Sequence, residues 1–233
     1  MIMRTQRGVG LIEMMVSIVI GMVLLLGLGT VLFSMNQTYK MRQSMSAIQN
    51  SQRNAMTFLS AIVQNAGYNP SPLTVAAIAI PLSGNGGGSG VPGTDTLTVR
   101  FIPSSGVSGF QGCSANLVQG NTYTDQFSVN AVNNTLECTE TNETAATVGV
   151  VVPLINRVQG MNVKYGVDST TSGSVTRYLA ATGATSVTSL ALWPKVKTVK
   201  VTLQFDNPLT GEAGQTANTH VDLTQTIPLM IGM

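Results

Sequence analysis

Residues 8–33 read GVGLIEMMVSIVIGMVLLLGLGTVLF, and this stretch decides how the rest of the chain is organised. Between Glu13 and Lys40 no residue is charged, and Met14 to Phe33 supply 20 predominantly apolar residues in a row. A helix rises about 1.5 Å per residue, so this run spans about 30 Å, enough to cross a bilayer. The head MIMRTQR places Arg4 and Arg7 just before it, which by the positive-inside rule predicts a cytoplasmic N-terminus. Lys40 and Arg42 on the far side pull against that orientation. A secretory signal peptide is the alternative, but its apolar core runs about 7 to 15 residues and ends in a small-x-small site. Here the apolar run is longer, and SMNQTYKMRQS follows it with no such site. A permanent anchor of unspecified type explains the run better. Glu13 is what a plain anchor does not explain. An unpaired carboxylate at the edge of an apolar span is costly, and no Lys or Arg occurs from 14 to 39 to serve as a helical i,i+4 partner. Its countercharge must come from outside the helix.

Composition agrees with this division. The 233 residues include 12 basic and 10 acidic side chains, 9% charged, against about 25% in an ordinary soluble domain. With 43% hydrophobic residues a mainly disordered chain is excluded, and a purely soluble enzyme is disfavoured. A net charge of +2 is too small for a binder that relies on a basic stripe to hold nucleic acid. Two cysteines, Cys113 and Cys138, permit at most one disulfide, so the chain is not a small disulfide scaffold.

Beyond the apolar run, Met41, Met45, Ile48, Gln52, Ala55, Leu59, Ile62 and Ala66 recur at spacings of four and three, and all but Gln52 are apolar. This periodicity predicts an amphipathic helix continuous with the first. Gly21, Gly27 and Gly29 are tolerated in a membrane helix, so one helix of about 58 residues, roughly 85 to 90 Å, is expected from Val9 to Ala66, stopped by Gly67 and Pro70. From Tyr68 the pattern shifts to short alternating runs. Leu97, Val99 and Phe101 form one set; Met161, Val163, Tyr165 and Val167 another; Val199, Val201, Leu203 and Phe205 a third. Each alternates with polar residues, as half-buried antiparallel strands do. Val75–Ile80, Phe127–Val132, Val148–Val152 and Val221–Leu229 are further candidates. The expected fold is α+β: a long N-terminal helix, half transmembrane and half amphipathic, packed on a β-rich head.

Gly8, followed by VGLIEMMVS, resembles the class III signal of type IV pilins and pseudopilins: a basic leader, Gly, four residues, Glu, then a long apolar helix. The resemblance implies cleavage by a prepilin peptidase between Gly8 and Val9 and N-methylation of Val9, although Val stands where Phe is commonest. It implies that Glu13, fifth in the processed chain, meets the N-terminal amine of a neighbouring subunit during filament assembly. The expected division is then a cleaved leader over 1–8, a stalk helix over 9–67 that crosses the membrane at about 14–33, and a periplasmic head over 68–233. A second resemblance covers Val158 to Phe205, where VQGMNVKYGVD, TRY and Trp193 followed by KVKTVKVTLQF are similar to PilW-like minor pilins. Together they imply a structural minor subunit of a type IV pilus, acting in initiation or near the tip, with roles in twitching, adhesion or DNA uptake. Its implied partners are other minor pilins, the major pilin, the prepilin peptidase, the inner-membrane assembly platform, a tip adhesin, and membrane lipid before assembly. A type II secretion pseudopilin and an anchored adhesin remain as alternatives. In the periplasm that the resemblance assigns to the head, Cys113 and Cys138 are expected to form a disulfide worth about 3 kcal/mol; two free buried thiols are the alternative.

No chemistry-bearing motif stands out. Gly84 to Gly90 reads GNGGGSG without the Lys-Ser or Lys-Thr of a phosphate loop, so it is expected to be a surface loop. Asp168 to Gly173, DSTTSG, starts like a calcium loop but has Thr and Ser where Asp or Asn belong and lacks the closing Glu. His220, the single histidine, is expected to face solvent in register with Asp222, opposite Val221 and Leu223. Neither a nucleophile elbow nor an oxyanion-hole motif is present, so no enzyme activity, metal or cofactor is expected. The absence of a clustered aromatic or basic patch argues against direct sugar or nucleic-acid binding. Loss of residues 1–8 would remove Arg4 and Arg7, leaving 10 basic against 10 acidic residues.

Overall fold

The computed structural model of the chain describes residues 10–70, 78, 80–86, 95–104, 112–114, 117–170, 172–208, 210 and 220–230. Gly8, Val9 and most of the candidate strand Val75–Ile80 lie outside them. Two compact units result, Met1–Ala47 and Ile48–Met233. In the first, the described residues are one run of helix α1, which spans Leu11–Gln64. Its apolar side chains, from Leu11 at 80% exposure to Phe33 at 68%, cover every side of the cylinder. A helix that is apolar all round belongs among other apolar groups, not in water.

The second unit begins where α1 becomes amphipathic. Ile48, Ala55, Met56, Leu59, Ile62 and Val63 are buried, following the predicted seam. Met41 and Met45, assigned to the same seam, remain 39% and 40% exposed and belong to the first unit. The helix ends at Gln64, not Ala66. The amides of Asn65 and Ala66 bond back three residues, to Ile62 and Val63, and Gly67 takes φ +76°, a left-handed conformation that suits glycine. Gly67 N–H then donates to Arg100 O at 2.8 Å, steering the chain onto the sheet.

Among the described residues nine strands follow: β1 Leu82–Asn85, β2 Thr96–Phe101, β3 Tyr123–Asn130, β4 Thr135–Asn142, β5 Val150–Asn156, β6 Val158–Val167, β7 Arg177–Leu179, β8 Val196–Asp206 and β9 His220–Pro228. They form two antiparallel sheets, β1-β2-β3-β4-β5 and β7-β6-β8-β9. The fold is α+β. Sequence periodicity located β2, β6 and β8, whose inward residues Leu97, Val99, Phe101, Val163, Tyr165, Val201, Leu203 and Phe205 are all at 2% exposure or less. Three strands had no place in the alternation. β1 includes Gly84, first assigned to the glycine-rich loop; β4 alternates Thr, Cys and Glu; and β7 is three residues long. Phe127 and Val129 are buried in β3, but Val132 falls in the β3–β4 turn at 90% exposure, and Val148 precedes β5 at 91%.

A single residue moves the chain from one sheet to the other. Arg157, at φ +68°, stands between β5 and β6, and its carbonyl accepts Asp206 N–H at 3.0 Å. The core below lies between the sheets and the amphipathic half of α1.

Candidate functional site: the apolar helix, the 168–173 loop and the disulfide cluster

Glu13 lies in the first turn of α1, its amide bonded to Gly10 O at 3.0 Å and its carbonyl accepting Ser17 Oγ–H at 2.7 Å. Among the described residues no ion pair involves its carboxylate. The helix is long and apolar enough to cross a membrane by length and composition. Exposed apolar surface on this scale marks contact with lipid or other apolar helices.

In the head, Asp168 closes the loop that follows β6. One carboxylate oxygen accepts the N–H groups of Thr170 and Ser172, at 3.0 and 3.2 Å, and the other accepts Gly173 N–H at 2.6 Å. Burial acts to raise its pKa, but the N–H groups of Gly173, Thr170 and Ser172 hold it below the usual carboxylate range. The residue that opened a calcium-like pattern thus spends its acceptors on its own backbone, which is what an Asx-type turn does. A polar groove of about 320 Å³ lies on the second sheet, lined among others by Asn162, Lys164, Lys200, Thr202 and Asp222. Lys164 and Lys200 are direct cross-strand partners, and Lys200 Nζ sits 5.7 Å from the centre of the Tyr178 ring. The fold therefore gathers two cations and an aromatic ring that are scattered in sequence. His220 is half-exposed, with Nε2 3.6 Å from Asp222. Val221, expected to be inward, pairs with buried Phe205 yet stays 39% exposed at the end of edge strand β9.

Cys113 and Cys138 form a disulfide with Cα atoms 6.1 Å apart. It joins the 112–114 segment to β4. Two acids beside it are not among the candidate residues read from the sequence. Asp125 and Glu140 are cross-strand partners on the inward faces of β3 and β4, at 0% and 7% exposure. Cys113 N–H donates to Asp125 Oδ2 at 3.0 Å, and Ser114 gives Glu140 both its N–H, at 2.9 Å, and its hydroxyl. Burial, and then the charge of Glu140, push Asp125 up to about 8, against the lowering effect of the Cys113 N–H. A signal did exist: with Tyr123, Phe127 and Leu136 inward, period two places Asp125 and Glu140 inward as well.

Two families match the chain. The family described as Type IV Pilus-assembly protein W matches residues 121–227, from β3 to β9, and the prokaryotic N-terminal methylation motif matches residues 3–29. Among curated proteins there is no match. A solved type IV-like pilin from Thermus thermophilus is similar at 13% identity and a TM-score of 0.48, over 78% of this chain and 95% of that one. The methylation motif and the apolar helix fit an inner-membrane-anchored pilin. With that motif at one end and the protein W match over the head, the chain is a type IV pilin-like structural subunit.

Proposed function

We propose that the chain is a minor subunit of a type IV pilus, held in the inner membrane with its N-terminus cytoplasmic and its head periplasmic until α1 is inserted into the filament core. The observation that carries this reading is the all-round apolar α1 with Glu13 in its first turn and no described cation beside it. Such a helix can exchange lipid for other apolar helices, and a neighbour's amine opposite Glu13 favours one axial register over slipped ones. On this reading prepilin peptidase cuts between Gly8 and Val9, Val9 is N-methylated, and the subunit joins other minor pilins at initiation or near the tip. Contact with the major pilin and the assembly platform follows, as do effects on twitching, adhesion or DNA uptake. The protein W match over residues 121–227 supports the pilus over a secretion pseudopilin. Deleting the gene tests this. Loss of surface pili is expected; intact pili with lost exoprotein secretion would favour the pseudopilin, and intact pili with lost adhesion an anchored adhesin.

A further inference from the structure

The inward faces of β3 and β4 are apolar at Tyr123, Phe127, Val129 and Leu136, yet at one level they carry the two carboxyl groups of Asp125 and Glu140. Buried acids that face each other are costly unless they are paired or used. Beside them is the Cys113–Cys138 bond. A carboxylate oxygen of Asp125 and both sulfurs lie within 4.8 Å of one another. Because the sulfurs are bonded together, they are not available to a metal. Asp125 Oδ2 accepts the Cys113 N–H, whereas Oδ1, also buried, receives no N–H from the protein, and the Glu140 side chain is the hydrogen-bonding group that acts on the Asp125 carboxyl. Among the described residues, the titratable groups facing Asp125 are Glu140, from β4, and the two cysteines.

We propose that Asp125 is the proton acceptor for closing the Cys113–Cys138 bond, with Glu140 opposite it tuning that role. The oxidant is an external disulfide, either glutathione disulfide or that of a thiol–disulfide oxidoreductase. Cys113, at 8% exposure the more accessible of the two residues, attacks first. A Cys113–oxidant bond forms, the oxidant's S–S bond breaks, and one thiol is released. Cys138, at 0% exposure, then attacks Cys113 Sγ. The Sγ–Sγ bond forms, and the second oxidant sulfur leaves with the electron pair of the broken bond. The Cys138 proton passes to the Asp125 carboxylate, an oxygen of which lies within 4.8 Å of both sulfurs, and from there to solvent or to the departing thiolate. Two thiols are oxidised by two electrons, and one disulfide is reduced to two thiols. A thiol titrates near 8.5. An acceptor at about 8 is well matched to it, whereas an ordinary carboxylate would be too weak a base.

The test uses the full chain in detergent, reduced, freed of reductant, and reoxidised with glutathione disulfide between pH 6 and 9. Acid quenching, alkylation and mass measurement give the rate of bond closure. For the native chain the rate rises with a midpoint near pH 8. Asp125→Asn is expected to close about tenfold more slowly at pH 8 and to follow the thiol titration alone. Glu140→Gln, which removes the like charge, is expected to move the midpoint down by about half a pH unit or more and to speed closure at pH 7. A merely structural pair would not produce that shift. The proposal is overturned by an unchanged rate and profile in Asp125→Asn, or by a reduced chain that has lost its native circular dichroism and closes like an unstructured dithiol. Should Asp125→Asn fail to fold, the Glu140→Gln midpoint decides alone: a downward shift supports the proposal and an unmoved midpoint overturns it.

Discussion

Asp95 Oδ2 accepts the backbone N–H of Val163 at 2.9 Å, joining the residue that introduces β2 in one sheet to the middle of β6 in the other. Both residues are nearly inaccessible, at 4% and 2% exposure. Strand β7 pairs with β6 only at Tyr165, Gly166 and Val167, so at Val163 a side chain supplies what a neighbouring strand would otherwise supply. Buried N–H groups are seldom left unpaired, and charged acceptors make the stronger bonds. Asp95→Ala should therefore destabilise the fold by about 1–3 kcal/mol, seen as a lower midpoint in thermal or denaturant unfolding. Unchanged stability would show that the bond between the sheets contributes nothing.

Tyr165 presents the opposite case. Its ring is fully buried and meets Trp193 edge-on at 4.9 Å, but its hydroxyl has no hydrogen-bond partner. Burial, reinforced by the charge of Asp95, pushes the hydroxyl's pKa up. Tyr165→Phe keeps the ring and removes the orphaned group. Stability is expected to be unchanged or higher by up to about 1 kcal/mol. A large loss on denaturant unfolding would reveal a partner for the hydroxyl.

Stability should peak at mildly acidic pH. Asp125 is raised from 3.8 to about 8, so between those values the folded state holds a proton that the unfolded state has lost. Stability then falls as pH climbs through that window, by at most about 1.4 kcal/mol per pH unit, and levels off above about 8. Asp168 and Glu143 act in the other direction. Burial pulls Glu143 upward, but Thr124 and Arg100, the latter at 2.7 Å, hold it below its usual value. The stability that these two lowered groups contribute is present above the unfolded carboxylate range and is lost as pH falls through their folded values. Unfolding midpoints measured from pH 3 to 9 check both limbs. A profile flat from 5 to 8 would contradict the assignment of Asp125.

Asp125→Asn should flatten the alkaline limb while leaving the acid limb in place, because Asp168 and Glu143 lie outside the pair. The difference between the two unfolding curves then isolates the buried acid. An alkaline limb that survives the substitution would place the titrating group elsewhere.

How far the sequence reveals this fold depends on where apolar residues carry the signal. The 3.6-residue seam of α1 and the period-two runs of β2, β6 and β8 are read directly, because their inward positions are Leu, Ile, Val, Met, Phe and Tyr. Strand β4 is missed because its inward positions include Cys138 and Glu140, whose burial depends on a disulfide partner and on hydrogen bonds from Ser114. Gly84 reads as loop until Tyr165 is seen packed so close that a Cβ there would strike its hydroxyl. Glu13 stands out in the sequence, since a lone carboxylate beside an uncharged span conflicts with the surrounding composition. Asp125 does not stand out in this way, since an acid between Thr124 and Gln126 looks exposed until the register places it opposite Glu140.

Substituting Glu13 separates processing from assembly. Glu13→Ala should be cut as the native chain is but should enter filaments poorly, by about tenfold if the pairing is worth about 1.4 kcal/mol. Normal incorporation, measured by immunoblot of sheared filaments, would remove Glu13 from the account of register.

The most direct measurement is the intact mass of the chain extracted from membranes. A pilin-like subunit processed at its N-terminus should lack residues 1–8, begin at Val9, and carry an added methyl group. An intact Met1, or a cut beyond Phe33 that discards the apolar run, would contradict the central claim.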